Sequence, residues 1–359
     1  MRILVYGAGP LGSLFAAQLH AAGHDVAILA RGQRLTDIRE HGVVIHNLVN
    51  DETMVAPVRT VEMLDPDDAY DLVLVIMRKN AALTILPVLA ANRTTPNVLF
   101  LMNNAAGPEA LVAALGRERV LIGFPASAGS RDGHVMHCLT GTPEEKADVP
   151  FGEIDGSVTP RVKQIAAVFE STPGLGADIR TDMDAWLKYH VALLMPSLAP
   201  ALYLCGTDNE RMARTRDAVV LAARAIREGF RVLQALGYPV TPSRFKVFIW
   251  LPEPLLVAFA QRLLADPRMK TALTAHAEVA RDEIRHLADE FLALASQTTV
   301  PIPTIRRLLA VYPDPNAELI PDGSREIPLD WRGVWVAAGG LAAALGLVYA
   351  VGRRLKRAG

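Results

Sequence analysis

A glycine-rich turn stands near the start of the chain. Gly7-Ala8-Gly9-Pro10-Leu11-Gly12 follows the apolar run Arg2–Tyr6 and precedes a helix-like stretch over Ser13–Ala21. Each glycine has a mechanical reason. Gly7 permits a tight turn, Gly9 lets the backbone approach a pyrophosphate, and Gly12 lets the helix pack close to the strand. The helix N-terminus then offers free N–H groups and a positive dipole end to phosphates. The chemistry predicted is dinucleotide binding. The next strand-like run, Val26–Leu29, ends in Ala30-Arg31. An Asp or Glu there would bond the ribose 2′-hydroxyl of NAD. Arg31 instead can stack on adenine or pair with a 2′-phosphate, with Arg34 as a helper. The cofactor predicted is therefore NADP.

The elements that must position this site follow from the pattern. Further strand-like runs lie at Leu72–Ile76, Val98–Leu101 and Val120–Gly123, with amphipathic stretches between several of them. That alternation predicts βαβ units and a mostly parallel sheet. Residues 126–180 read as more irregular, with a helix over Arg161–Phe169. From Met183 to Tyr312 the periodicity is helical, with long stretches over Ala218–Leu236 and Leu273–Ser296. The expected fold is an α/β Rossmann domain (1–180) followed by an all-α substrate and catalytic domain (181–312). A proline-rich linker (313–332), a C-terminal hydrophobic helix (333–352) and a basic tail (353–359) complete the chain.

Composition narrows the function classes. The net charge is −1, so nothing suggests a nucleic-acid partner. Cys138 and Cys205 form no CxxC pair, which fits a reducing compartment and excludes a cysteine-rich zinc site. His134 and His137 lack a ligand cluster and read as loop residues, so no metal is expected. Met1-Arg2 runs straight into a strand, so a cytoplasmic location is expected for the folded part. Gly333–Gly352 holds no charged residue for about 20 positions, enough to span a bilayer. Trp331, Trp335 and Tyr349 lie near its ends, and Arg353, Arg354, Lys356 and Arg357 follow. A membrane anchor is the preferred reading over a buried helix.

Several pieces together resemble the ketopantoate reductase family, the 2-dehydropantoate 2-reductases. They are the glycine motif, Ala30-Arg31-Gly32, Asn104-Ala105-Ala106-Gly107, Phe151-Gly152-Glu153-Ile154-Asp155-Gly156, Trp186-Leu187-Lys188 and Asp282-Glu283-Ile284. They come in the family's order and cover about residues 1–310. The resemblance implies an active site in the cleft between the domains and NADPH-dependent reduction of a 2-oxo acid to a 2-hydroxy acid. It implies Lys188 and Glu283 as catalytic residues and Asn104 and Arg78 on the cofactor side. Thr271 stands where the family binds the substrate carboxylate through a serine.

The groups suit that chemistry. Hydride transfer to a ketone leaves negative charge on oxygen, and a cation nearby stabilises it and supplies a proton. Lys188 would do this, with Glu283 orienting Lys188 or binding a substrate hydroxyl. Asn104 would hold the nicotinamide ribose or the lysine. Departures from the family cluster on the substrate side. Its asparagines four and eight residues after the lysine are Ala192 and Pro196 here, and Pro196 should bend or end that helix. Its residue before the glutamate, often Thr, is Asp282, and its usual Lys is Arg78. A relative with a changed substrate is therefore preferred over a strict pantothenate-pathway enzyme. The partner expected is a small 2-oxo acid, with a homodimer as an option for assembly. The competing reading is a membrane-tethered NADP(H)-binding sensor without turnover.

Overall fold

A computed structural model describes residues 1–335. Its first half runs β1 (Arg2–Tyr6), α1 (Pro10–Ala21), β2 (Asp25–Leu29), α2 (Gly32–His41), β3 (Val43–Asn47), β4 (Glu52–Ala56), β5 (Arg59–Val61) and β6 (Leu72–Val75). It continues with α3 (Lys79–Thr84), α4 (Leu86–Ala91), β7 (Val98–Leu101), α5 (Glu109–Leu115) and β8 (Val120–Gly123). The strands β9 (Ala128–Asp132), β10 (Val135–Leu139) and β11 (Ala147–Gly152) precede α6 (Pro160–Glu170) and β12 (Leu175–Ile179).

The main sheet has eight strands in the order β12-β11-β8-β7-β6-β1-β2-β5. All neighbours are parallel except β11 against β8. The five apolar runs predicted as strands are β1, β2, β6, β7 and β8. Their residues are buried on both faces, apart from the first of β1 and β2. That explains why they read as continuous apolar runs and not as alternating ones. Strand order reverses between β1 and β6, and in such sheets ligands bind at the carboxyl ends beside that switch.

The stretch 126–180, expected to be irregular, is more ordered than that. It supplies β9 to β12, and β9 and β10 join β3 and β4 in a second sheet, ordered β4-β3-β10-β9. β9 is partly exposed, and β10 alternates in burial but not in polarity, so no clean period of two marks either in the sequence. The motif Phe151–Gly156 serves the fold. Glu153, buried, accepts from the Arg161 guanidinium and the Thr159 hydroxyl, and Thr159 caps α6.

Burial alone would raise the Glu153 carboxyl, but the Arg161 and Thr159 bonds outweigh it and hold it below its usual range. Because the folded pKa is depressed, the stabilisation is present above the unfolded value and lost as pH falls through the folded one. Glu153→Gln should cost about 1.5–3 kcal/mol near neutrality. That gap between wild type and variant should close in acid, read by denaturant titration across pH 3–7. A gap independent of pH would show that the carboxylate charge contributes nothing.

The second half is helical: α7 (Met183–Leu193), α8 (Ala199–Tyr203), α9 (Asn209–Arg214), α10 (Arg216–Ala235), α11 (Val247–Trp250), α12 (Glu253–Leu264), α13 (Ala275–Val279), α14 (Arg281–Ala295) and α15 (Pro303–Val311). Its core gathers Tyr189, Phe230, Phe291 and their neighbours. Pro196 neither ends the helical path nor leaves it regular. It lies in a π-helical turn, Leu194–Leu198, between α7 and α8. Proline cannot donate to the carbonyl four residues back, and the Ser197 hydroxyl bonds the Ala192 carbonyl instead, at 2.9 Å. Gly229 lets α10 approach; a Cβ there would sit 3.3 Å from Ala192 Cβ and 3.4 Å from Phe291. Ala192 and Pro196 are thus buried in the helical domain. The expected continuous helix over Leu273–Ser296 is broken. A π-helical turn at Lys270–Thr274 leads into α13, and Ala280 separates α13 from α14.

The proline-rich stretch has no helix or strand from 314 to 331, yet it is docked along the helical domain. Ile320 N–H bonds the Leu204 carbonyl at 2.9 Å, and Arg214 forks onto Asp322 at 2.7 and 2.8 Å. Asp217 accepts from the Ser324 hydroxyl and from the Glu326 and Ile327 N–H groups. Among the described residues no helix is long and apolar enough to cross a membrane. Beyond Trp335, the expected anchor and basic tail lie outside the described residues.

Candidate active site

The glycine turn sits where the sheet reverses. Gly7 has φ +124°, and a Cβ there would lie 2.5 Å from the Ile76 carbonyl at the end of β6. A Cβ on Gly12 would lie 1.8 Å from the Gly7 carbonyl. Both positions exclude side chains for the reasons predicted. Gly9 differs: nothing lies within 4 Å of a Cβ there. It is the N-cap of α1, with no side chain capping the helix. The first N–H groups of α1 therefore face a cradle that any side chain would begin to fill. Ala8, Pro10 and Leu11 complete the turn, with Pro10 at the first helical position.

Arg31 leads into α2 at the end of β2. Its Nε bonds the Glu62 carbonyl at 3.2 Å, and its side chain is exposed. That leaves the two terminal nitrogens to a ligand. Arg34 does not serve the role expected of it. It is buried, donating to the Ala8 carbonyl at 3.1 Å, the His134 carbonyl at 3.2 Å and Ser13 Oγ at 3.0 Å. It clamps the glycine turn to α1 and to the β9–β10 hairpin.

Two lysines are buried at the junction of the domains. Lys188, on α7, is 2% exposed. It pairs with Asp184 one turn earlier, and its ammonium lies 4.9 Å from the centre of the Tyr238 ring. Lys79 opens α3 just after β6 and is also 2% exposed. It donates to Asn104 Oδ1 at 2.6 Å and pairs with Glu290 at 3.1 Å. Burial lowers the Lys79 pKa, Glu290 opposes that, and the nearby charge of Lys188 adds to it. The two ammonium groups therefore feel one another across the interface.

Asn104 follows β7 and holds Lys79 while bonding Gly107 through both amide atoms. Of the two roles expected of Glu283, orienting Lys188 or binding a substrate hydroxyl, the first is not met. Its carboxylate accepts the Lys79 N–H at 3.0 Å and lies 3.6 Å from His276 Nε2. Burial pushes Glu283 above its usual range. Arg78, expected on the cofactor side, is turned to the rim. It pairs with Asp282 at 3.1 Å, and Asn80 bonds the same carboxylate at 2.8 Å. The two departures, Arg78 and Asp282, are thus one contact between the domains. Thr271 lies half-buried on the π-helical turn before α13, which packs against β9 and β10. His190 stacks on Trp186 with centroids 5.1 Å apart and packs on Phe124 at 4.3 Å. Burial lowers its pKa well below the usual histidine range, so it serves as a neutral ring in the stack.

Three residues at the site were missed in the sequence: Lys79, Asp184 and Glu290. Glu290 accepts from the Ala105 and Ala106 N–H groups at 3.2 and 3.1 Å and lies 3.3 Å from His286. Signals existed. Asp184 stands four residues before Lys188, and Glu283, His286 and Glu290 share one face of a helix by their i, i+3, i+7 spacing.

A glycine cradle at the switch of a parallel sheet, closed by a helical domain carrying buried lysine and glutamate, defines a two-domain Rossmann oxidoreductase. The comparisons with known proteins make this specific. Residues 3–152 match the family model for ketopantoate reductase PanE/ApbA, and residues 182–313 match its C-terminal model. The chain belongs to the ketopantoate reductase family. A 2-dehydropantoate 2-reductase of Archaeoglobus fulgidus is 28% identical over 241 residues, covering 66% of this chain and 75% of that protein. One from Mesorhizobium japonicum is 26% identical over 275 residues, covering 68% and 80%. The fold is shared with a 2-dehydropantoate 2-reductase from Geobacter metallireducens (TM-score 0.70, 19% identity, 86% of this chain and 98% of that one). It is shared also with D-mandelate dehydrogenase solved with NADH and anilino(oxo)acetate (TM-score 0.69, 17% identity, 86% and 96%).

Proposed function

We propose that this protein is an NADPH-dependent reductase of a small 2-oxo acid. The observation that carries the reading is the buried Lys188 ammonium at the domain junction, where Lys79 and Asn104 are buried on the sheet side and Glu283 of α14 reaches the Lys79 N–H. The cofactor fits the residues present. The N–H groups at Gly9 and the start of α1 would hold the pyrophosphate, and Arg31 the 2′-phosphate. When bound, it supplies the hydride. Lys79, rather than Arg78, is the cofactor-side cation in this reading, held by Asn104. Lys188 binds the carbonyl oxygen, stabilises the charge that grows there and passes it a proton. Asp184 and Tyr238 keep Lys188 aimed.

The D-mandelate dehydrogenase and 2-dehydropantoate 2-reductases named above bracket the substrate class: a carboxylate beside a ketone or hydroxyl carbon. By the family resemblance, Ala192 and Pro196 replace two asparagines that would bond a substrate hydroxyl, which favours a 2-oxo acid with an apolar side chain over ketopantoate. The test follows NADPH absorbance at 340 nm with the whole protein, ketopantoate and a panel of aliphatic and aromatic 2-oxo acids. Turnover is expected, fastest with apolar side chains. NADPH binding with no turnover on any member would favour a sensor without chemistry.

Arg31 gives a separate test of cofactor choice. A charge-assisted bond to phosphate contributes about 1.5–3 kcal/mol, so Arg31→Ala should weaken NADPH binding roughly 10- to 100-fold. NADH, which lacks the 2′-phosphate, should bind as before. Equal loss of both cofactors would mean that Arg31 only stacks on adenine.

A further inference from the structure

The helical domain carries an apolar stripe that no described residue covers. Leu255, Phe259 and Leu263 recur every four residues along α12 and are 53%, 53% and 49% exposed. Trp250, at the end of α11, is 75% exposed. Contiguous exposed apolar surface of this kind marks an interaction site.

The docked proline-rich segment ends at this stripe. Arg224 bonds the Pro328 carbonyl at 2.7 Å, and Asp330 N–H bonds Glu253, the first residue of α12, at 2.9 Å. The backbone at Gly333 then lies against Pro252, where an added Cβ would sit 3.4 Å from the proline's own. Trp250, Pro252, Asp330 and Gly333 line one groove with Arg227 and Arg231. Trp331 and Trp335, 51% and 71% exposed, stand beside it. The uncharged run Gly333–Gly352 therefore starts where the stripe starts, and its exit point is fixed by charge-assisted bonds.

We propose that the face formed by Trp250, Leu255, Phe259, Leu263, Trp331 and Trp335 seats on an anionic lipid bilayer. Two observations select that occupant. The aromatic residues are of the kind that settles at a membrane–water interface. Lys246, Arg231 and Arg262 border the face, and none of them has a carboxylate partner among the described residues. Lys246 lies 5.7 Å from the Trp250 ring. The nearby carboxylates, Glu253 and Asp330, are already paired with Arg224 and Arg332. Each surface cation adds attraction to anionic headgroups, which for three amounts to roughly 100-fold in affinity.

The test places one fluorescent label on the face of the whole protein. Cys138 and Cys205 are buried, so Phe259→Cys takes a bimane selectively, and Glu144→Cys gives a control on the Rossmann domain. Vesicles of phosphatidylcholine with phosphatidylglycerol should shift the label at 259 to the blue and shield it from iodide. The label at 144 should stay accessible. Removing phosphatidylglycerol should weaken vesicle binding, read as shielding against lipid concentration, by about 100-fold, and reversing charge with Lys246→Glu and Arg262→Glu together should weaken it by at least as much. A label shielded before vesicles are added, at any protein concentration, would overturn the proposal in favour of residues 336–352 as the cover. Shielding that grows with protein concentration would overturn it in favour of a second copy. A label accessible throughout would leave the face bare and overturn it outright.

Discussion

Lys188→Ala is expected to lower kcat by about 10³-fold, within the range for loss of a positioned acid. NADPH affinity should change little, because the glycine cradle and Arg31 lie on the other domain. The reasoning starts from burial. An ammonium at 2% exposure persists only if paired, and here Asp184 and the Tyr238 ring provide the pairing. In such a dry position each interaction with a growing alkoxide is stronger than in water. Lys188→Arg keeps the charge but not the compact donor, so it should restore only part of the rate. Single-turnover NADPH oxidation separates chemistry from product release. A kcat unchanged in Lys188→Ala would remove this residue from the reaction.

What the sequence shows of this site and what it hides have different physical origins. The glycine turn is legible because each glycine answers a local backbone demand: the Ile76 carbonyl behind Gly7, the Gly7 carbonyl behind Gly12, open space at Gly9. The five central strands are legible because burial on both faces leaves them wholly apolar. Lys188 and Glu283 emerge through the family resemblance, since nothing local distinguishes a buried lysine from a solvated one. Their partners do not emerge. Glu283 meets the Lys79 N–H because the break at Ala280 and the packing of α14 against α3 set the geometry, whereas Asp184 reaches Lys188 through the i, i+4 spacing of one helix and matters only once that helix is known to be buried. The π-helical turn around Pro196 is hidden for the same reason. Proline announces a disturbed helix, but whether the chain stops or widens depends on Ser197 reaching the Ala192 carbonyl. The segment 313–332 reads as a linker by composition. What docks it is Arg214 on α9 and Asp217 and Arg224 on α10, helices remote in sequence.

Lys79→Met and Arg78→Ala should separate sharply, although the residues are adjacent. Strand periodicity locates the end of β6 but not which of two neighbouring cations turns inward, because one residue of register reverses the direction of a side chain at the strand's end. Arg78 is at the rim, and its pair with Asp282, with side chains 39% and 58% exposed, is screened by solvent. Its loss should cost at most about 1 kcal/mol. Lys79 is buried with Asn104 and Glu290. Its removal strands the Glu290 carboxylate, 13% exposed, and frees Asn104. Breaking a buried pair from one side costs about 3–5 kcal/mol, measurable by denaturant titration. NADPH binding and turnover should fall with it, because Asn104 and the turn it closes lose their anchor. The double variant Lys79→Met, Glu290→Gln removes the stranded charge while keeping an acceptor for the Ala105 and Ala106 N–H groups. It should regain most of the stability but not the turnover. That split between recovered folding and unrecovered rate identifies Lys79 as part of the chemistry. Recovery of both would reduce it to a clasp between the domains, and a larger loss in Arg78→Ala would return the cofactor-side role to Arg78.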